Sequence, residues 1–268
     1  MLLRALAVVG LLASFPAVNL VTPRGGRQRL ARRYARTLLR RCGIGLRIVD
    51  ERGADRNTDL GLLVVAGHVG WTDVVALAAV QPMGFVARAD LVDWPLLGGL
   101  ARLMRVIPIE RERLRRLPAV VSAIAERLSA GERVAMFPEG TTWCGRAHGR
   151  LRPALFQAAV DTGTPVQPFR VRYLDRAGEL STIPGFVGLD TFLDSARRVL
   201  GSRGVVAEVT LLRVEAPGTD RHDLARRCER AIRGTETVDI DAHATALGTG
   251  PTREIVQDRE NRSTTVVS

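Results

Sequence analysis

The sequence predicts an α/β fold: a single domain with a mostly parallel or mixed β-sheet flanked by helices, preceded by an N-terminal membrane-associating helical segment. From residue 46 onward, apolar runs of strand length alternate with segments of helical periodicity, the pattern of an α/β domain. The 268 residues suffice for one substantial core. We therefore divide the chain into an anchoring segment (1–44), a main domain (45–233) and a polar tail (234–268) predicted to be disordered.

The pattern of apolar residues, together with proline and aspartate at helix starts, predicts where the helices and strands of the main domain lie. A helix that begins at Pro153 and one capped by Asp220 carry the clearest start signals. Predicted strands occupy 60–66, 84–88, 106–110, 133–137, 165–173 and 205–214. Predicted helices occupy 74–80, 95–104, 114–130, 153–161 and 220–233. In such domains, active sites collect in the loops at the carboxyl ends of the strands.

The N-terminal segment combines an apolar run with a basic one. Residues 5–21 are uncharged but short for a bilayer span, and Phe15 and Pro16 do not suit a signal-peptide cleavage site, so we predict a retained anchor or half-inserted helix. Eight arginines follow within 24–41, with an apolar residue every fourth position from Leu30 to Cys42. This pattern predicts a helix lying on an anionic membrane at its cytoplasmic face; the alternative is a solvated helix packed on the domain.

The formal net charge is +11, and every basic residue is arginine because the sequence contains no lysine. Arginine suits bidentate contacts to phosphates, so we expect a phosphate-rich partner, although genome composition alone also explains such usage. The aromatic content of 4% argues against stacking on single-stranded nucleic acid, and no nucleic-acid partner is expected. Three widely separated cysteines indicate neither a disulfide framework nor a zinc site.

His68 and Asp73 form a His-x4-Asp pair directly after the predicted strand 60–66. Five residues of helix would leave the two side chains about 140° apart, so they cannot share one helical face. The pair can meet only if His68 lies in the loop and Asp73 lies in the first helical turn, which Gly67 and Gly70 permit. A carboxylate on one imidazole nitrogen would leave the other nitrogen as a base. By itself this spacing is a weak signal, equally compatible with a loop histidine and a helix-capping acid.

A second motif, Phe-Pro-Glu-Gly-Thr at 137–141, follows the predicted strand 133–137. Glycine and threonine at a strand end offer backbone N–H groups and a hydroxyl to phosphate oxygens. Alone, the motif is also compatible with an ordinary Pro-x-Gly turn. Its length makes a chance match far less probable than that of the His-x4-Asp pair.

Taken together, these blocks resemble the PlsC-type glycerolipid acyltransferases, the lysophosphatidic acid acyltransferase family. That family shows the His-x4-Asp block, an arginine-ended block, the Phe-Pro-Glu-Gly-Thr block and a late proline-containing strand, in this order. Here the second block is matched by 85–88 through 106–111 and the fourth by 164–168, so the resemblance covers roughly 60–173. Three departures concern the acceptor head group: Gly67 stands where asparagine is usual, Thr142 where a basic residue is common, and Arg88 where lysine is frequent.

The resemblance implies transfer of a fatty acyl group from acyl-CoA or acyl carrier protein to the free hydroxyl of lysophosphatidic acid, giving phosphatidic acid. It implies His68 and Asp73 as the catalytic pair, with no metal and no resident cofactor. The implied substrate-binding residues are Arg111, Glu139, Gly140, Thr141 and Arg88. A backbone N–H near Glu139 and Gly140, or in the Gly70 turn, would hold the oxyanion.

Three alternatives remain open at this point. The acceptor could be another lysophospholipid or a lyso-aminolipid. A protein of another class, a non-catalytic basic protein that binds membrane or nucleic acid, would share the charge pattern. Metal-dependent hydrolysis using His68, Asp73 and His148 is less favoured, because the sequence has no His-Glu-x-x-His cluster.

Overall fold

A computed structural model describes residues 1–53, 61–89, 106–110, 113–234 and 240–246 of the chain. These residues form one seven-stranded sheet with helices on both faces, which confirms the predicted α/β class. The strands are β1 (Ile44–Asp50), β2 (Leu62–Ala66), β3 (Gly84–Arg88), β4 (Ile107–Ile109), β5 (Arg133–Met136), β6 (Val166–Leu174) and β7 (Val205–Leu211). The helices are α1 (Leu2–Val21), α2 (Arg24–Cys42), α3 (Trp71–Val80), α4 (Leu117–Ser129), α5 (Gln157–Thr162), α6 (Phe192–Gly201), α7 (Arg221–Arg233) and α8 (Ile240–Ala246).

The sheet is mixed, with the strand order β1-β7-β6-β2-β5-β3-β4. All neighbouring strands pair in parallel except β6 and β7, which are antiparallel. The central strand β2 lies between β5 and β6 and is buried along its whole length, as expected of a parallel strand covered on both faces. Its carboxyl end therefore delivers residue 67 onward to the middle of one sheet edge, next to the carboxyl end of β5.

Alternate residues of β2 feed two separate cores, because successive strand side chains point to opposite faces. Leu62 and Val64 join a core that includes side chains of α2, α3 and α6. Leu63 and Val65 join a second core that includes side chains of α4, α5 and α7. The basic helix α2 and the late helix α7 thus lie on opposite faces of the sheet.

The N-terminal segment forms a helical hairpin. α1 is longer than the uncharged run 5–21 that we predicted as an anchor, since it includes Arg4 and spans 20 residues. Among the described residues it is the one helix long and apolar enough to cross a membrane, with a mean hydropathy of 1.7 and little of its surface buried. Where it is covered, Phe15 packs edge-on against Tyr34 of α2, with ring centroids 4.9 Å apart.

Several predicted boundaries shift by a few residues. The helix predicted at 74–80 begins at Trp71, and the one predicted at 153–161 divides into a short 3₁₀ turn and α5. Asp220 does cap α7, accepting the His222 N–H at 2.8 Å. The predicted helix 95–104 lies outside the described residues. The seven-residue α8 lies inside the segment for which we predicted disorder, while most of that segment lies outside the described residues.

Candidate active site

His68 and Asp73 meet at the carboxyl end of β2 in the arrangement that their spacing required. His68 lies in the loop, helix α3 begins at Trp71, and Asp73 occupies its first turn. The Nδ1 atom of His68 lies 2.8 Å from Oδ2 of Asp73. The imidazole is 13% exposed and the carboxylate is fully buried, so the pair opens to solvent on the histidine side alone.

Four donors surround the buried carboxylate of Asp73. Its Oδ2 accepts the backbone N–H groups of Val69 at 2.6 Å and Gly70 at 2.9 Å, besides the contact with Nδ1 of His68. Its Oδ1 accepts the hydroxyl of Tyr173, from β6, at 2.8 Å. A carboxyl group that accepts from all sides is in its ionised form, so Nδ1 carries the proton of the neutral imidazole. The other ring nitrogen, Nε2, is therefore the basic one.

Tyr173 stays protonated at neutral pH. Its pKa is raised well above 10, first by complete burial and then by the neighbouring charge of Asp73. The hydroxyl thus remains a donor and fixes the carboxylate from the side opposite to the loop. Sequence reasoning placed Tyr173 in a strand but missed this role, because the two residues are 100 positions apart.

The turn that carries the pair is held by a neighbouring loop. The Phe186 N–H donates to the carbonyl of Val69 at 2.9 Å, and the hydroxyl of Thr142 donates to the carbonyl of Phe186. A Cβ at position 70 would collide with the carbonyl oxygen of Pro184, so only glycine fits there. The close approach of this loop explains why Gly70 stands between His68 and Asp73.

The second motif contacts the first directly. The ring of Phe137 stacks on the imidazole of His68, with centroids 4.1 Å apart and planes inclined by 14°. The N–H of His68 donates to Oε2 of Glu139 at 2.9 Å, and its carbonyl accepts the N–H of Trp143 at 2.8 Å. The two sequence motifs are therefore parts of one site, in which the second contacts both the ring and the backbone of His68.

Glu139 is buried, with 4% of its surface exposed, and its second oxygen pairs with Arg233 at the end of α7. Burial raises the pKa of Glu139, and the charge of Arg233 opposes that rise. We predicted Glu139 as part of a substrate-binding loop, but its carboxylate faces protein partners. Gly140 is half-buried and Thr141 is exposed, so they form the outer end of that loop.

A small pocket opens beside His68, between the loop 139–149 and β6. Arg146, Arg172 and Arg233 contribute to its lining, and two of them are ion-paired, Arg172 with Glu208 and Arg233 with Glu139. His148 also lines it, and burial together with the charge of Arg233 lowers the pKa of His148. Its remaining lining residues are Gly67, Val69, Glu139, Trp143, Gly145, Ala147, Val171 and Leu180.

The part of the chain that the structure describes places neither of the predicted substrate-binding arginines in this pocket. Arg88 is an exposed residue at the end of β3, separated from β2 by β5. Arg111 lies outside the described residues. Of the backbone donors predicted for the oxyanion, the Gly70 N–H is already bonded to Asp73, and the Gly140 N–H donates to the carbonyl of Phe137 at 3.3 Å.

The described residues of this site give no support to the hypothesis of metal-dependent hydrolysis. Within the part of the chain that the structure describes, no group of three or more histidine, cysteine, aspartate or glutamate side chains is placed to hold a metal ion. His148, the third ligand of the metal-dependent alternative, lies beside Arg233 rather than beside Asp73.

The comparisons with known proteins bear on the same residues. The family model described as Acyltransferase matches residues 48–172, which include both motifs. A 1-acyl-sn-glycerol-3-phosphate acyltransferase from Neisseria gonorrhoeae is 33% identical over 185 residues, covering 68% of this chain and 71% of the relative. The chain belongs to the PlsC-type glycerolipid acyltransferases. Its fold matches the crystal structure of the Thermotoga maritima PlsC with a TM-score of 0.58 at 16% identity, over 86% of this chain and 95% of that one.

Other relatives of this acyltransferase carry a different acceptor in their names. A lyso-ornithine lipid O-acyltransferase from Pseudomonas aeruginosa is 35% identical over 177 residues, covering 64% of this chain and 66% of the relative. Another from Brucella abortus is 32% identical over 240 residues, covering 83% of this chain and 87% of the relative. Similarity thus extends to two classes of acceptor.

Proposed function

We propose that this acyltransferase moves a fatty acyl group from acyl-CoA or acyl carrier protein to the free hydroxyl of lysophosphatidic acid, giving phosphatidic acid. The observation that carries the proposal is the buried Asp73, which occupies Nδ1 of His68 and leaves Nε2 as the base. A fatty thioester is already activated, so a positioned general base is sufficient and no acyl-enzyme is needed.

In the proposed reaction, the acceptor oxygen attacks the thioester carbonyl carbon while Nε2 of His68 takes the hydroxyl proton. A C–O bond forms and the C–S bond breaks, and the imidazolium returns its proton to the departing thiolate. Asp73 stabilises the imidazolium through Nδ1, at a distance of 2.8 Å. General-base catalysis of this kind contributes about 10²- to 10⁴-fold.

The acceptor phosphate is assigned to Arg111, Gly140 and Thr141, with Arg88 as a more distant contributor. Support comes from the position of Gly140 and Thr141 at the outer end of the loop next to His68. Arg146 and Arg172 in the adjacent pocket supply further positive charge. We expect Arg111→Ala to raise the KM for lysophosphatidic acid with little change in kcat, because the contact is made equally in the ground and transition states.

Acylation of a lyso-ornithine lipid is the second candidate. It is favoured by the relatives of that name, of which the one from Brucella abortus aligns over 83% of this chain. The absence of a basic residue at Thr142, where the family commonly has one, agrees with a change of head group.

The test offers labelled acyl-CoA and acyl carrier protein in turn with lysophosphatidic acid, a lyso-ornithine lipid and a lysophospholipid with a larger head group. Thin-layer separation of the products identifies the acceptor. His68→Ala should lower turnover by at least about 10²-fold. His222→Ala is the matched control, because His222 also contacts an aspartate, Asp220, but is exposed at the start of α7. Turnover that survives in His68→Ala would refute the base assignment.

We also propose that the enzyme works on the cytoplasmic face of the cell membrane. α1 offers an apolar surface on which Leu2, Leu3, Leu20 and Val21 are all more than 70% exposed. α2 adds exposed arginines in 24–41 beside it. An apolar helix followed by a basic one is the arrangement expected at an anionic cytoplasmic leaflet, which would also hold the lipid acceptor.

A further inference from the structure

The last residue of α7, Arg233, extends into the active site from the far end of the chain. Its Nη2 pairs with Oε1 of Glu139 and also donates to the carbonyl of Gly149 at 3.3 Å. The other oxygen of Glu139 accepts the N–H of His68 at 2.9 Å. A chain of contacts therefore runs from the Arg233 guanidinium to the backbone of His68, through a carboxylate that is 4% exposed.

Gly67 leaves room for this guanidinium. A Cβ at position 67 would lie 2.9 Å from Nη1 of Arg233, which is closer than real Cβ contacts allow. An alanine at position 67 would therefore require the guanidinium, the far end of a flexible side chain, to shift from its place next to the histidine.

The carboxyl end of α7, from which the Arg233 side chain extends, is held in place by hydrogen bonds and by packing. Arg170 of β6 donates through Nε to the carbonyl of Ile232 at 2.6 Å and through Nη2 to that of Ala231 at 2.9 Å. Ile232 itself is buried in the core that α7 shares with α4. Packing and these two hydrogen bonds set where the Arg233 side chain begins.

We propose that Arg233 is a positioning residue for His68: it acts through Glu139 to fix the histidine backbone, and Gly67 admits it. The proposal rests on the assignment of His68 as the base. Arg233 itself touches Glu139 and the Gly149 carbonyl, so its effect on the reaction is indirect.

The charge state of Glu139 is the property that Arg233 controls. Burial favours the protonated form of the carboxyl, and a protonated carboxyl is a weaker acceptor for the His68 N–H. The charged or titratable groups near it are Arg233 from α7, His68 from the β2–α3 loop and His148 from its own loop, with Arg146 and Arg172 lining the same pocket. Of these, Arg233 is the one that makes a direct ion pair with it.

The first experiment compares kcat and KM of the full-length chain in lipid vesicles for three variants. Arg233→Gln should lower kcat by about 10- to 100-fold with a smaller change in KM for the acyl donor, because small displacements of a reacting group have effects of this size. Arg233→Lys, which keeps the charge, should recover part of the loss. Arg230→Gln, an exposed neighbour in the same turn of α7, should change kcat by less than about twofold.

The pH profile separates positioning from general damage to the fold. Without its countercharge, Glu139 should protonate at higher pH, so the acid limb of kcat in Arg233→Gln should move to higher pH than in the wild type. In Glu139→Gln/Arg233→Gln that added limb should vanish, because the titrating group is gone. An Arg233→Gln variant with wild-type kcat and an unshifted acid limb would overturn the proposal, as would an equal loss in Arg230→Gln.

A further variant tests whether a side chain at position 67 would occupy the space that the Arg233 guanidinium fills. Gly67→Ala should lower kcat in the wild-type background and have little further effect in Arg233→Gln, because the clash is then relieved. Additive losses would contradict the shared space. Should the wild type acylate none of the acceptors, the proposed function fails while this proposal is still decided by carboxyl ¹³C NMR, in which the Glu139 pKa must rise in Arg233→Gln.

Discussion

At the scale of single residues, Asp73 shows why a buried charge is tolerated at this site. A carboxylate with no exposed surface would be costly in an apolar core, but here two backbone N–H groups, the His68 ring and the Tyr173 hydroxyl all donate to it. Three of these donors come from the loop 68–70, and the fourth comes from β6. The charge is thereby fixed in one position, which in turn fixes the ring of His68.

Tyr173→Phe should remove one of these donors without changing the shape of the core. We expect the free energy of unfolding at neutral pH to fall by about 1.5–3 kcal/mol, the usual contribution of a hydrogen bond to a charged group. Tyr34→Phe is the matched control, because the only other tyrosine bonds to the neutral Ser14 hydroxyl in a half-buried place. Equal losses in the two variants, measured by denaturant unfolding, would show that the contact with Asp73 has no special weight.

The same variant makes a prediction about alkaline pH. The pKa of Tyr173 in the folded protein is raised above the value of 10 for an unfolded tyrosine, so its stabilisation is complete below pH 10 and is lost as the pH rises beyond it. The difference in unfolding free energy between wild type and Tyr173→Phe should therefore be constant up to about pH 9 and shrink above about pH 10. A difference that grows with pH would mean that the direction of the pKa shift is wrong.

How far the site could be predicted depended on sequence distance. His68 and Asp73 are five positions apart, so helix geometry alone required the loop-and-first-turn arrangement that the structure confirms. Tyr173 and Arg233 reach the site from β6 and from the end of α7, and no local pattern marks an arginine among so many as a partner of Glu139. Gly67, which stands where the family usually has asparagine, adjoins the Arg233 guanidinium, but that departure alone does not identify the arginine.

At the scale of elements, arginine side chains cap the carboxyl ends of several helices by donating hydrogen bonds to their last carbonyl groups. Arg36 donates to the carbonyl of Ala79 near the end of α3, and Arg4 donates to that of Leu200 near the end of α6. Arg170 does the same for Ala231 and Ile232 of α7. Terminal carbonyls lack partners within their own helix and carry partial negative charge, so a guanidinium satisfies both needs. Part of the arginine excess therefore has a structural use.

Arg170→Gln tests the arginine cap at the end of α7, the helix from which Arg233 reaches the active site. Because the site is only partly buried and water can replace part of the contact, loss of the two hydrogen bonds should cost about 1.5–3 kcal/mol in all, which lowers the thermal midpoint by about 3–10 °C in a protein of this size. Amide hydrogen exchange should accelerate in the last turn of α7 more than elsewhere. Arg230→Gln, exposed in that turn, should shift the midpoint by no more than about 2 °C. Unchanged exchange in Arg170→Gln would mean that packing alone holds the helix end.

Most elements with strong periodicity or clear punctuation were predicted closely, but α6 was missed although it has both. The strand predicted at 84–88 matches β3, and the helix predicted to begin after Asp220 matches α7. No helix was predicted at 192–201, where α6 begins with a Thr191–Asp194 capping box. The antiparallel pairing of β6 and β7 was not predicted either, because the direction of pairing depends on the connection between two strands and not on the sequence of either strand.

At the scale of the whole molecule, different sets of helices cover the two faces of the sheet. α1 and α2 form a hairpin over one face, with exposed leucines on α1 and exposed arginines on α2. α4, α5 and α7 cover the other face. The active site lies at the edge between these faces, where the carboxyl ends of β2 and β5 meet. We proposed that the enzyme works at a membrane, and of the two faces the α1–α2 hairpin carries the exposed leucines and arginines suited to an anionic bilayer.

This orientation predicts different effects for arginines on the two faces. Arg32→Gln/Arg33→Gln on α2 should weaken binding to vesicles rich in anionic lipid by about 30-fold, since each arginine near such a surface contributes about 1 kcal/mol. Arg226→Gln/Arg230→Gln removes the same charge from exposed positions of α7 and should change binding by less than about threefold if those positions face away from the lipid. Co-sedimentation with anionic and with neutral vesicles measures both variants, and the α2 effect should disappear on neutral lipid. Equal losses in the two variants would mean that net charge, not the α1–α2 face, drives binding, and the hairpin would then lose its assigned role in orienting the active site.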